Sequence, residues 1–297
     1  MKSMTFVRNR SHRLLACLAL GAGVVCIGCS AIFVKFAGVS GPVSAFYRVL
    51  IAGIVIVPWW CYRKSGYPSR SDLILTLGGG IFFALDLVFW NTGLLLTSAA
   101  TATLLANNAP LWVGLGSILL FQERLPISYW FGLTISLGGM AFLVGEGGWS
   151  HLQWNAGDLL AIVASFFYAA YLLTTQKART RIDTLTFMTL SVVSSLLVLF
   201  GLNLVLGTPL TGFSGKTWTA LVGLGLVSQT GGWLAINYAL GHLRAAPVSV
   251  SLLGEAAVTA LLAIPLLGEY LSIPQVIGGV LILGGIFFAN QRKEEKT

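Results

Sequence analysis

The sequence predicts an all-α polytopic membrane protein of ten transmembrane helices, arranged as two inverted five-helix repeats with both termini cytoplasmic. Three observations predict it. First, only 9% of the 297 residues are Asp, Glu, Lys or Arg and 56% are hydrophobic, where a soluble domain usually carries about 25% charged residues. These charges are too few to coat one or two soluble domains, so the apolar surface must face lipid. Second, apolar runs follow one another with short connections, and a span needs about 20 mostly apolar residues. Third, the two halves of the chain repeat each other in register.

The runs are 14–36, 44–62, 73–96, 99–121, 127–145, 159–176, 184–206, 218–240, 246–267 and 273–289. The first follows Arg8, Arg10 and Arg13, the layout of a secretory signal, and Cys29 stands where a lipoprotein would be cleaved. The run continues past Cys29 to Phe36, longer than a signal core, and is read as a span. Cys17, Cys26, Cys29 and Cys61 all lie in or beside the first two runs. They read as small apolar helix residues; the CxxC of Cys26 and Cys29 lacks further zinc ligands or an adjoining redox fold.

Basic residues set the orientation, because cytoplasmic loops are enriched in Lys and Arg. With the N-terminus inside, fifteen fall on inner segments: four from Lys2 to Arg13, three from Arg63 to Arg70, Arg124, three from Lys177 to Arg181, Arg244, and three from Arg292 to Lys296. Lys35, Arg48 and Lys216 fall on outer ends. The net charge of +8 therefore reports topology rather than a footprint for nucleic acid. The division that follows is a cytoplasmic segment 1–13, a first repeat 14–145, a second repeat 157–290 and a cytoplasmic tail 291–297.

The repeat has a gapless offset of 146. It pairs Asn91 with Asn237, Glu123 with Glu269, Gly132 with Gly278, Gly138 with Gly284 and Gly139 with Gly285. Five spans is an odd number, so the second copy enters the membrane from the opposite side. Two inverted copies closing alternately around a central cavity expose it first to one side and then to the other, which is how many secondary transporters work.

These residues resemble the EamA-type bundles of the drug/metabolite transporter superfamily. The resemblance rests on Gly28 and Ser30 with Lys35, on Ala45-Phe46-Tyr47-Arg48, and on Thr97-Ser98-Ala99 through Pro110 to Glu123-Arg124-Leu125. The second half repeats the last segment as Arg244-Ala245-Ala246 to Gly268-Glu269-Tyr270-Leu271. Ala256 stands where Pro110 stands, and the second half lacks an equivalent of Arg48. The resemblance implies export or exchange of small metabolites across a bacterial inner membrane, and is strongest to the YddG-type exporters of aromatic amino acids.

Ionisable groups deep in a bilayer are costly and mark function by default. Asp86 and Glu255 are the two deep carboxylates, read either as a proton or ammonium site or as acceptors for hydrogen bonds from neighbouring helices. Gln229, Trp233 and Asn237 stand at i, i+4 and i+8, one face of an α-helix, and Trp90 and Asn91 sit opposite them by the repeat, Asn91 pairing with Asn237. Six tryptophans fall near span ends, as interfacial belts do. Trp90, Trp233 and Trp112 do not; indoles beside amides suit a cavity for an aromatic ligand, with packing against lipid the alternative. Asn107 and Asn108 precede Pro110, whose missing donor predicts a kink opening a polar pocket. Tyr168, Tyr171 and Ser30 complete the candidate substrate-binding set. Lys35 and Arg48 near the outer surface either gate or anchor, and the paired glycines read as packing positions.

Catalysis finds no support: His12, His151 and His242 are scattered at span ends, and neither HExxH, GxSxG nor a phosphate-binding Gly-Lys loop occurs. No cofactor and no metal site is expected. The expected partners are a small-molecule substrate and the lipid bilayer, and the oligomeric state is left open. The function expected is export of small amphipathic metabolites, amino acids foremost; the alternative is proton-coupled efflux of cationic drugs through Asp86 or Glu255.

Overall fold

The computed structural model describes residues 10–63, 68–96, 105–144, 155–267 and 272–291. All regular structure there is helical: α1 Arg10–Gly28, α2 Ser30–Ala37, α3 Gly41–Arg63, α4 Arg70–Leu96, α5 Ala109–Phe121, α6 Ile127–Val144, α7 Ala156–Ala178 and α8 Thr184–Val205. There follow α9 Gly215–Gly223, a π-helix Leu224–Gly232, α10 Trp233–Leu240, α11 Ala245–Leu252, α12 Gly254–Leu267 and α13 Ile273–Asn290. Among the described residues, 8 helices are long and apolar enough to cross a membrane, and Ala109–Phe121 and Ile127–Leu143 are shorter apolar helices. The start of the fourth run, 97–104, lies outside the described residues. Leu119 at 77% and Val205 at 84% exposure are typical of faces whose solvent is hydrocarbon.

The chain divides into two compact units. Unit one comprises Met1–Ile81 with Thr174–Val248, and unit two Phe82–Leu173 with Ser249–Thr297. Each unit thus draws on both sequence repeats, and the boundaries fall inside α4, α7 and α11.

In unit two, α6 and α13 pack through glycines. A Cβ on Gly139 would stand 2.7 Å from the Gly278 carbonyl oxygen, and one on Gly278 would stand 2.6 Å from the Gly139 oxygen. Gly132 and Gly285 face each other in the same way. Numbers rise along one helix as they fall along the other, so the pair is antiparallel. The repeat offset turns the contact of Gly132 with Gly285 into that of Gly278 with Gly139. Ser136 donates to the Ile282 carbonyl at 3.3 Å, and these two are themselves repeat mates, so a local two-fold axis passes between them. The last spans of the two repeats therefore run in opposite directions. Of the expected packing glycines, Gly139 and Gly285 pack, whereas a Cβ on Gly138 or Gly284 would meet open space.

Unit one is held by a second antiparallel pair, α3 with α8. Asn203 Nδ2 donates to the Pro42 carbonyl at 3.1 Å, Phe46 meets Phe200 with centroids 5.8 Å apart, and Trp60 Nε1 donates to Thr186 Oγ1 at 3.0 Å. Asp183 caps α8, its carboxylate accepting from the Leu185 and Thr186 amides at 3.0 and 3.1 Å and from the Thr186 hydroxyl at 2.6 Å. Burial pushes this carboxyl up, but those bonds, with Arg179 nearby, outweigh burial and hold it below its ordinary value of 3.8. A depressed folded value stabilises the fold above the unfolded pKa, an effect lost as pH falls through the folded one. Asp183→Ala is expected to cost about 1 kcal/mol at neutral pH, the gap from wild type closing as the pH is taken below 3.8. Thermal unfolding of both proteins in detergent across that pH range checks it.

Candidate functional site

Unit two holds eight of the twelve expected site residues: Asp86, Trp90, Asn91, Asn107, Asn108, Tyr168, Tyr171 and Glu255. Asn107 and Asn108 form a turn rather than a kink, a correction to the expected role of Pro110. That proline stands in the first turn of α5, where its fixed φ suits a helix start and its missing N–H costs nothing. The fourth run is therefore interrupted. Asn108 Nδ2 donates to the Leu105 carbonyl at 3.1 Å and its amide to the same oxygen at 3.2 Å.

The ninth run is interrupted too, between α11 and α12 at Leu253, whose amide donates to the Val250 carbonyl at 3.1 Å. Position 253 is the repeat mate of 107. Glu255, expected in mid-helix, instead stands in the first turn of α12, where the unsatisfied amides and the helix dipole favour a negative group. The two breaks fall at corresponding places in the two repeats, and discontinuous helices are a usual setting of transporter sites.

Other members of unit two are packed. Tyr171 is 2% exposed and lies 5.0 Å from Phe83 between ring centroids, so it belongs to the core between α4 and α7 rather than to a lining. Tyr168 and Trp90 are half-buried, and Asn91 is buried. Trp112 donates its indole N–H to Ser165 at 2.8 Å and meets Phe166 edge-on, which gives it a packing role.

Unit one holds Ser30, Gln229, Trp233 and Asn237. Gln229 lies in the π-helix, where Thr230 Oγ1 donates five residues back to the Gly225 carbonyl at 2.8 Å. Gln229, Trp233 and Asn237 are all buried. Asn237 is fully buried and donates to Met188 Sδ at 3.1 Å, a core contact. Its carbonyl accepts from Arg179 Nε at 3.1 Å. Arg179 lies just beyond α7 and also donates to the Ile182 carbonyl. Burial pulls its guanidinium down to about 10, against the opposing effect of Asp183 and Tyr238.

Arg48, outside the expected substrate-binding set, meets two members of that set. Its Nε donates to Gln229 Oε1 at 2.6 Å and its Nη1 to Ser30 Oγ at 3.2 Å. α3 begins at Gly41, so Arg48 stands about 10 Å along the helix at 1.5 Å per residue. An arginine inside an apolar run was the available signal. Lys35, by contrast, is in the last turn of α2. Backbone irregularity surrounds the arginine's partners: Ser30 starts α2 after the break at Cys29, and Ser228 of the π-helix donates to the Cys26 carbonyl at 3.0 Å. π-Helical turns of this kind recur at functional sites.

Apolar helices with lipid-suited faces, antiparallel copies of one sequence repeat and interrupted spans carrying polar groups define a membrane transport protein. The EamA-like transporter family model matches residues 14–145 and 155–291, and the chain belongs to that family. It is similar to the uncharacterized transporter YdfC of Bacillus subtilis (strain 168), 24% identical over 82% of this chain and 80% of the relative. An uncharacterized transporter of Archaeoglobus fulgidus is 25% identical, with 91% of this chain and 94% of the relative covered. A solved crystal structure has the same fold, with a TM-score of 0.77 and 22% identity over 93% of this chain and 96% of the other.

Proposed function

We propose that this transporter exports small amphipathic metabolites, aromatic and apolar amino acids foremost, by alternating access in a bacterial inner membrane. Ten spans in two inverted repeats, 14–145 and 157–290, with both termini cytoplasmic, make up the working unit. The observation that carries this reading is the pair of breaks at 107–108 and 253, at matching places in the two repeats. Unit two offers half-buried Trp90 and Tyr168 to an apolar group, and Asn91, Asn107 and Asn108 to polar ones. Asp86 and Glu255 offer carboxylates to an ammonium. The resemblance to YddG-type exporters supports the choice of amino acids.

Reconstituted in liposomes, the protein is expected to take up labelled Phe, Trp or Met saturably and without an imposed pH gradient. Absence of saturable flux of all three would sink the amino-acid reading. The presence of both deep carboxylates in one unit favours a second reading, proton-coupled efflux of cationic drugs. It requires that Asp86→Asn with Glu255→Gln abolish pH-dependent efflux.

A further inference from the structure

We infer that the groove between α2 and α9 in unit one binds an anionic phospholipid, with its phosphate on Lys216 and its acyl chains against Phe33 and Phe36. The cavity measures about 440 Å³ and is lined by Phe33, Phe36, Lys216, Thr219 and Ala220, a volume within the range of small-ligand sites. Its two walls are tied together. Thr217 Oγ1 donates to the Ala37 carbonyl at 3.0 Å, joining the start of α9 to the end of α2. Phe33 is seated on α9 at Gly223, where a Cβ would stand 2.6 Å from its Cε1. Phe36 and Lys216 are exposed, and Lys216 Nζ stands 5.8 Å over the centroid of the Phe36 ring. A lysine laid along an apolar wall in this way keeps its ammonium within reach of a headgroup.

Charge decides the occupant. Residues 29–47 and 200–224 contain Lys35 and Lys216 and no Asp or Glu. The acidic residues in the sequence of unit one, Asp72 and Asp183, lie at its other end. Asp183 caps the start of α8, whose far end meets α3 where Asn203 bonds Pro42, and Asp72 pairs with Arg181 at 3.4 Å. The ammonium of Lys216 therefore faces no carboxylate of its own unit. The apolar stretch Ser11–Ala37 ends at this groove and the stretch Gly215–Leu240 begins there, so it lies where spans meet lipid headgroups. A phospholipid supplies both an anion for Lys216 and hydrocarbon for the phenylalanines, whereas a free phosphate would leave the two rings against water. A zwitterionic headgroup carries its own cation and gains less from the lysine.

The test uses the full-length protein in phosphatidylcholine nanodiscs doped with photoactivatable phosphatidylglycerol or phosphatidylcholine. Both probes carry the same diazirine acyl chain, and labelled peptides are mapped by mass spectrometry. At residues 33–36 and 216–220 the anionic probe is expected to label about five-fold more than the zwitterionic one, the effect of a single lysine at a membrane surface. Around the exposed Val276 and Val280 of α13 the two probes are expected to label equally. Lys216→Gln is expected to bring the ratio at the groove down to that of α13, and Lys216→Arg to keep it. Should Lys216→Gln fail to fold, Thr219→Glu sets a carboxylate beside the ammonium and is expected to lower the ratio in the same way. Equal labelling of the groove by the two probes in wild type, or an excess that survives either variant, overturns the inference. Loss of the excess when free glycerol phosphate is added at the concentration of the probe does so as well, since the occupant would then be a soluble anion. No transported substrate enters the measurement, so either outcome leaves the amino-acid reading to stand or fall on its own flux experiment.

Discussion

Gly139→Ala is expected to destabilise the protein by about 1–3 kcal/mol, the usual cost of forcing a methyl into a filled interface, whereas Gly138→Ala, one residue away, is neutral or slightly stabilising. The new Cβ at position 139 would stand 2.7 Å from the Gly278 oxygen and 2.8 Å from the Ile282 nitrogen. Both are backbone atoms of α13, so only separation of the helices relieves the clash. Gly138 faces open space, and alanine there gains up to about 1 kcal/mol of helix propensity. Gly278→Ala is expected to match Gly139→Ala, because the two-fold axis gives both the same surroundings. Unfolding midpoints of the three variants in one detergent check this, and equal midpoints for positions 138 and 139 would dismiss the glycine interface.

Glu255→Gln is expected to lower kcat/KM for phenylalanine uptake ten-fold or more while leaving the protein folded. Glutamine keeps the shape of the side chain and its place in the first turn of α12, but removes the charge proposed to meet an ammonium. Truncating one member of a desolvated charged pair costs about 2–5 kcal/mol, which at 1.4 kcal/mol per decade exceeds ten-fold. Proteoliposome uptake by wild type and variant, each with and without a pH gradient, gives the answer. Unchanged uptake dismisses an ammonium contact at Glu255. A wild-type pH dependence that the variant loses would instead support proton exchange.

Much of this was legible in the chain. Composition gave most apolar helices within a few residues of their observed limits, the fourth run excepted, and the offset of 146 predicted the opposed directions that α6 and α13 display. The glycine pairs were legible only as a group, since sequence does not say which of two adjacent glycines faces a neighbour. Helical periodicity also failed at the interruptions. Pro110 reads equally as a kink or as a helix start, and the choice depends on whether the preceding turn stays α-helical. The π-turn that carries Gln229 leaves almost no mark in sequence beyond the glycines at 223, 225, 231 and 232.

Arg48 shows the limit most clearly. The sequence showed a cation near a span end but gave no sign of Gln229 and Ser30 as its partners. By itself the sequence determined that the protein lives in lipid and carries two copies of one repeat, because lipid permits only internally bonded helices and the offset of 146 recurs in register. Only the tertiary structure decided where those helices break and which polar groups meet. Such contacts join residues as far apart as Cys26 and Ser228, 202 positions, and long-range packing rather than local propensity selects them.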